Sequence, residues 1–173
     1  MREALFSILA ARGLISGARV LDLYAGTGAL AIEALSRGAA HAVLVEADRS
    51  ALAALRGNVD VLGLTDRARV LAQTVERAAG YTPLRTAAPR PGAGPSPLAE
   101  AAPFTLVLAD PPYADVATAA GVLGHLALAL EPGVRFVLEH AARDEPPEIS
   151  DLPRLDTRVW GDTAVSFYGQ GDL

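Results

Sequence analysis

Residues 19–35 read RVLDLYAGTGALAIEAL, and this stretch indicates the fold class. Residues 19–23 predict a strand, and the run from Ala29 to Leu35 predicts a helix. Between them Gly26 and Gly28 predict a tight loop, because glycine adopts backbone conformations that other residues avoid. A strand, a glycine loop and a helix in this order form the nucleotide-binding unit of doubly wound α/β sheets.

A second strand is predicted over 42–46, and it ends at Glu46. This acid follows the glycine loop by roughly 20 residues, the spacing at which such a unit binds the ribose hydroxyls of an adenosine. Gly26 and Gly28 allow a ligand to lie directly against the loop and the helix start. We therefore expect an adenosine-containing cofactor at this loop.

Two cofactors compete for the glycine loop. Gly26-Thr-Gly28-Ala-Leu-Ala31 formally satisfies the G-x-G-x-x-G/A pattern of nicotinamide sites. Asp22 favours S-adenosyl-L-methionine instead, because that cofactor carries a sulfonium and an ammonium, and a carboxylate binds an ammonium directly or through water. A carboxylate that only caps the loop is the structural alternative for Asp22, and it is compatible with cofactor binding.

The second motif is Asp110-Pro111-Pro112-Tyr113, which follows the apolar run 104–109 and hence a predicted buried strand. The carboxylate and a backbone carbonyl beside proline can accept hydrogen bonds from a planar NH2 group, while the tyrosine ring stacks on the attached base. Acceptors that favour a pyramidal nitrogen make such an amine easier to alkylate. The motif thus indicates amine methylation, and a simple strand-ending turn is the alternative.

The composition is that of one soluble enzyme domain. The chain has 173 residues, 51% of them hydrophobic, with no apolar run long enough for a membrane span and no signal-peptide pattern at its start, so we expect a cytoplasmic protein. It has no cysteine and three dispersed histidines, so no metal site is expected. The net charge of −5 argues against broad nucleic-acid coating, although all 15 basic residues are arginine, which suits local RNA contacts.

The remaining pattern predicts a seven-stranded, mostly parallel sheet with helices on both faces. Helices are predicted over 2–12, 48–62 and 117–130, and further strands over 68–72 and 135–139. The dipeptide Gly161-Asp162 predicts a final antiparallel hairpin between strands 157–160 and 163–168. Residues 83–103, rich in Pro, Gly, Ala and Ser, are predicted to form a mobile surface excursion. Residues after strands one, two and four should converge on one crevice.

Several stretches together resemble the bacterial methyltransferases that modify guanine N2 in 16S ribosomal RNA. The resembling segments are 2–9, 20–39, 45–48, Asn58, 110–113, 139–140 and 160–163. The resemblance implies a class I (Rossmann-like) S-adenosylmethionine-dependent methyltransferase fold and the assembling 30S subunit as substrate, and we expect a monomer. It implies that Asp110, Pro111, Pro112 and Tyr113 grip the guanine amine. The implied cofactor-binding residues are Asp22, Tyr24, Ala25, Gly26, Thr27, Gly28, Glu46, Ala47, Gln73, Thr74, Val75 and Asp110.

The chain departs from the family pattern at two places. After the third strand the family commonly presents an acid for the adenine amino group, whereas this chain reads Ala72-Gln73-Thr74-Val75, so Gln73, Thr74 or a backbone group of Val75 would substitute. The chain also begins inside the opening helix, without the basic arm usual in the family. These departures leave open a non-catalytic module that binds S-adenosylmethionine or RNA. An adenine-N6 DNA methyltransferase also stays open, because the same tetrapeptide suits the adenine amine.

Overall fold

The computed structural model describes residues 1–81, 96–131 and 133–172. Within these residues seven strands and six helices follow one another, with a 3₁₀ turn at Tyr113–Asp115. The strands are β1 (Arg19–Leu23), β2 (His41–Glu46), β3 (Ala68–Ala72), β4 (Leu106–Ala109), β5 (Arg135–Ala141), β6 (Arg154–Trp160) and β7 (Thr163–Tyr168). The helices are α1 (Arg2–Ala11), α2 (Ala29–Ser36), α3 (Arg49–Val61), α4 (Val75–Ala79), α5 (Pro97–Ala101) and α6 (Val116–Ala129).

All seven strands form one sheet in the order β3-β2-β1-β4-β5-β7-β6. Strands β1 to β5 are parallel to one another, and β7 runs antiparallel to both β5 and β6. The predicted sheet and its antiparallel hairpin are therefore confirmed. The chain builds outward from β1 to β3 and then crosses back to place β4 on the other side of β1. This reversal makes the carboxyl ends of β1 and β4 the switch point where ligands bind in such sheets.

Helices cover both faces of the sheet because the strands are apolar on both faces. On one face α1, α2 and α3 pack against Leu44, Leu108 and Val137, and on the other α4, α5 and α6 pack against Leu23, Val107 and Leu138. Leu5 and Leu9 of α1 are buried, as its helical spacing predicts. Among the described residues no helix combines the length and apolar character needed to cross a bilayer.

The structure differs from the sequence prediction in short elements. Helices α4 and α5 were not predicted, because five residues are too few to show a helical repeat. Strand β6 begins at Arg154 rather than at 157, since pairing with β7 and a register shift between Arg154 and Asp156 extend it. The excursion predicted over 83–103 ends in α5, where Leu98 is buried, and 82–95 lie outside the described residues.

Replacement of Gly28 by alanine is expected to destabilise the fold more than the same replacement at another left-handed glycine. Gly28 has φ +85°, and an added Cβ would lie 2.5 Å from Leu55 Cδ1. Gly63 has φ +64° and nothing within 4 Å of an added Cβ. Gly63→Ala should lose about 1 kcal/mol of unfolding free energy from backbone strain. Gly28→Ala should lose about 1–3 kcal/mol more from overpacking, measured by urea unfolding. Equal losses would contradict the packing role of Gly28.

Candidate functional site

The glycine loop between β1 and α2 is held by three neighbouring elements. The N–H of Gly26 donates to Glu46 Oε2 at 2.7 Å, and the N–H of Ala25 donates to the carbonyl of Val45 at 3.0 Å, both at the end of β2. From α3, Asn58 Nδ2 donates to the carbonyl of Thr27 at 3.0 Å. Asn58 was part of the family resemblance without an assigned role, and the structure shows that it positions the loop.

Asp22 lies beneath the loop and holds the start of α2. Its Oδ2 accepts a hydrogen bond from the N–H of Ala31 at 3.0 Å, while Oδ1 is buried without a partner among the described residues. The residue is only 1% exposed. This geometry matches the capping role considered for Asp22. Buried polar groups are normally hydrogen-bonded, so the unpartnered oxygen is available to a ligand.

Glu46 accepts more hydrogen bonds from backbone N–H groups than the sequence predicts. Besides the bond from Gly26, its Oε1 accepts from the N–H groups of Ala47 and Asp48 at 2.8 and 2.7 Å. These bonds orient the carboxylate toward the loop and toward the N-terminus of α3, where Asp48 is the cap. A carboxylate has about four acceptor positions, so Glu46 can still accept from a ligand hydroxyl.

A cavity of about 290 Å³ lies beside the glycine loop. It brings together residues that follow strands one, two and four, which the sequence predicts to converge, and residues that follow the third strand. Its lining comprises Tyr24, Val45, Glu46, Ala47, Asp48, Gln73, Thr74, Val75, Glu76, Pro112 and Asp115.

Tyr24 contributes a strained backbone and a buried hydroxyl to this cavity. It has φ +62°, which is uncommon for a residue with a Cβ, and such strain clusters at functional sites. Its hydroxyl is buried without a partner among the described residues. Burial raises the pKa of Tyr24, and the charges of Glu76 and Asp115 raise it further. The neutral hydroxyl is therefore an available donor at the cavity.

The three residues expected to replace the family's acid after β3 all line the cavity. Thr74 already has a structural role, because its Oγ1 accepts from the N–H of Arg77 at 3.4 Å and caps α4. Val75 is buried at the first position of α4, where the backbone N–H has no helical acceptor. Gln73 is half-buried, and its side-chain amide has both a donor and an acceptor.

The Asp-Pro-Pro-Tyr segment begins directly after β4. The N–H of Asp110 donates to the carbonyl of Leu23 at 3.5 Å, which ties the segment to the end of β1. Pro111 is buried, Pro112 lines the cavity, and the ring of Tyr113 is 51% exposed. The exposed Tyr113 ring is available for stacking.

Four carboxylates lie on one side of this sheet edge, namely Asp22, Glu46, Asp110 and Glu139. The pKa of Asp22 is raised to about 7, mainly by burial, and the charges of Asp110 and Glu46 add to this. Burial also raises the pKa of Asp110. The pKa of Glu139 is raised to about 7 by burial and then by Asp110. Such a concentration of negative charge favours a cationic ligand.

Glu139 received no role from the sequence, although it belongs to the resembling segment Glu139-His140. The only available signal was its position late in a predicted strand beside the strand that ends at Asp110. The neighbouring His140 is 1% exposed and buried in the sheet. Its Nε2 lies 2.9 Å from Ser166 Oγ, which lies 2.9 Å from Thr157 Oγ1. This chain joins β5, β7 and β6 and supports a structural role.

Comparison with known proteins shows relatives over nearly the whole chain. The sequence model of the family described as conserved hypothetical protein 95 matches residues 1–169. The Bacillus subtilis (strain 168) protein named "Putative rRNA methyltransferase YlbH" is 32% identical over 171 residues, covering 97% of this chain and 83% of that protein. The Escherichia coli (strain K12) protein named "Ribosomal RNA small subunit methyltransferase D" is 48% identical over 62 residues, 36% of this chain and 30% of that protein. These matches confirm the resemblance that the sequence motifs indicate.

Solved structures share the fold. A conserved hypothetical protein of Streptococcus pyogenes is 33% identical with a TM-score of 0.78, covering 100% of this chain and 98% of that chain. An RNA methyltransferase from Salinibacter ruber, solved with S-adenosyl-L-homocysteine, has a TM-score of 0.68 at 15% identity and covers 100% of this chain and 95% of that chain. The predicted class I methyltransferase fold is therefore confirmed.

Replacement of Asp22 by asparagine should weaken the pH dependence of stability. The folded protein holds the Asp22 proton up to about pH 7, whereas the unfolded chain releases it near 3.8. The unfolding free energy therefore falls as the pH rises between these values, with at most about 1.4 kcal/mol per pH unit from this group. Asparagine keeps an acceptor for Ala31 but does not titrate.

The measurement is urea unfolding at several pH values between about 5 and about 8, with Asp66→Asn as a control at an exposed carboxylate. The unfolding free energy of Asp22→Asn should fall less steeply with rising pH than that of the wild type or of the control. A slope equal to that of the wild type would show that Asp22 is ionised in the folded state across this range.

Proposed function

Because the chain belongs to the conserved hypothetical protein 95 family, we propose that it transfers a methyl group from S-adenosyl-L-methionine to the exocyclic N2 amine of a guanine in 16S ribosomal RNA. The proposed substrate is the assembling 30S subunit, which would place the protein in the cytoplasm. The names of its Bacillus subtilis and Escherichia coli relatives support ribosomal RNA as the substrate class.

One observation carries the proposal: the Asp-Pro-Pro-Tyr segment and the glycine loop meet at the switch point between β1 and β4. Pro112 lines the same cavity as Tyr24 and Glu46. Asp110 is tied to Leu23 directly before the loop. A group for holding an amine therefore adjoins a loop suited to a nucleotide cofactor, and neither a dehydrogenase nor a simple turn would need both.

The residues present fit S-adenosyl-L-methionine. A Cβ added at Gly26 would meet nothing within 4 Å, so the loop faces open space there. The unpartnered Asp22 Oδ1 and Tyr24 hydroxyl offer an acceptor and a donor. The Asp22 carboxyl group suits the ammonium of this ligand. We assign Glu46 to the ribose, and Gln73, Thr74 and Val75 to the adenine side of the cavity.

When bound, S-adenosyl-L-methionine supplies an activated methyl group on a sulfonium. Asp110 accepts a hydrogen bond from the guanine amine and favours a pyramidal nitrogen, whose lone pair is then available. A backbone carbonyl of the Pro111-Pro112 segment accepts the second amine proton, and the exposed Tyr113 ring stacks on the flipped-out base. Positioning of the amine thus supplies most of the rate enhancement that the protein contributes.

Replacement of Asp110 by alanine should lower methyl transfer by about 100-fold or more, because the amine loses its main acceptor. The assay follows labelled methyl groups into immature 30S particles, with duplex DNA as a second substrate. Calorimetry with S-adenosyl-L-homocysteine should show nearly unchanged binding. Asp66→Ala, at the opposite edge of the sheet, is the matched control and should keep wild-type turnover.

Each alternative function has its own outcome in this assay. Labelling of duplex DNA but not of the particles would indicate an adenine-N6 DNA methyltransferase. Cofactor binding without transfer to either substrate would indicate a non-catalytic module. Near-normal turnover by Asp110→Ala would refute the role of Asp110.

Replacement of Gly26 by alanine should lower the affinity for S-adenosyl-L-homocysteine by about 10-fold or more, because a methyl group would occupy the space above the loop. Stability should fall only by the backbone cost of φ +56°, as in the Gly63→Ala control with φ +64°. Calorimetry and urea unfolding measure the two quantities. Wild-type affinity in a folded Gly26→Ala variant would exclude close approach of the cofactor to this loop.

A further inference from the structure

Glu139 lies beside Asp110 at the edge of the sheet. Strands β4 and β5 are parallel neighbours, and their register pairs Ala109 with Leu138. Asp110 directly follows the end of β4, and Glu139 is the next residue of β5. Successive residues of a strand point to opposite faces, so both acids lie on the face of Leu108 and Val137, which carries α1, α2 and α3.

The two carboxylates interact and are free to accept hydrogen bonds. The strand register brings the two acids side by side, and the charge of Asp110 helps burial to raise the pKa of Glu139. Within 1–81, 96–131 and 133–172, no residue donates a hydrogen bond to either carboxylate, in contrast to Asp22 and Glu46. Glu139 is half-buried, so a ligand that reached it would be partly desolvated.

The base edges of guanine and adenine differ in what they present to such a pair. Guanine presents N1–H and the N2 amine, which are both donors, whereas adenine presents its N6 amine as a donor and N1 as an acceptor. Two neighbouring carboxylates are both acceptors when ionised. They therefore match the guanine edge, and they would leave adenine N1 facing another acceptor, which rejects that base.

We propose that Glu139 is a specificity-determining residue that accepts the N1–H of the target guanine while Asp110 accepts its N2 amine. The inference rests on the proposed function and names the group that selects guanine at the same site. It requires ionised Glu139, so guanine recognition should strengthen as the pH rises through about 7. Two charged groups act on Glu139: Asp110, which follows β4, raises its pKa, and the amino group of Met1, before α1, lowers it. On β7 the residue paired with Glu139 is the uncharged Val165.

The test compares the wild type with Glu139→Gln in the labelled-methyl assay on immature 30S particles between about pH 6 and about pH 8. Glutamine keeps the shape of the side chain but offers only a neutral acceptor. At about pH 8 the variant should lose about 10-fold or more in kcat/KM, because a charge-assisted hydrogen bond is lost. At about pH 6 the kcat/KM values of the two proteins should be nearly equal.

Other roles of Glu139 give other results, each of which would overturn the proposal. A structural role would lower kcat/KM equally at all pH values and would lower the melting temperature. A purely electrostatic influence on Asp110 would leave the two proteins equal at about pH 8. Calorimetry with S-adenosyl-L-homocysteine should show equal affinities, and a large loss there would assign Glu139 to the cofactor instead.

A second measurement separates this inference from the proposed function. Carbon-13 NMR of the carboxyl groups can follow the Glu139 titration in the protein alone, and Asp110→Asn should lower the apparent pKa of Glu139 by removing a like charge. An unchanged Glu139 pKa would show that the two groups do not form a pair. If the pair is present but the wild type methylates neither particles nor DNA, the proposed function fails while the neighbouring position of the acids stands.

Discussion

The hydrogen bonds that Asp22 and Glu46 accept from backbone N–H groups are the interactions on which the rest of the site depends. Asp22 holds the start of α2, and Glu46 joins Gly26 to the end of β2. A glycine loop is intrinsically mobile because glycine has many accessible conformations. Two carboxylates from adjacent strands give it one shape, and that shape leaves open space above Gly26 and a cavity beside Tyr24.

This arrangement gathers negative charge at one edge of the sheet. Burial, followed by the charge of Asp110, raises the pKa values of Asp22 and Glu139 to about 7. A cationic ligand would relieve the repulsion between these carboxylates. The residues that hold the loop in shape therefore also favour a ligand of positive charge. The unfavourable charge repulsion is concentrated where the strand order reverses between β1 and β4, and the apolar layers on both faces of the sheet offset it.

Much of the site could be predicted because its parts are local in sequence. The strand, glycine loop and helix at 19–35 and the strand before Asp110 each show their character within a few residues. What could not be predicted depends on partners distant in sequence. Glu46 accepts from Gly26, Asn58 donates to Thr27, and the short helix α5 becomes stable because Leu98 is buried against the core. No local pattern records such contacts.

The sequence by itself determined the fold class, the glycine loop and the amine-binding motif, because apolar periodicity, glycine spacing and a strand-ending Asp-Pro-Pro-Tyr are properties of short segments. Only the tertiary structure decided how these segments meet. The register of β4 and β5 places Glu139 beside Asp110, and the strand order brings residues from four strand ends to one cavity. Register and strand order arise from packing between segments far apart in the chain, so they appear only when the sheet is assembled.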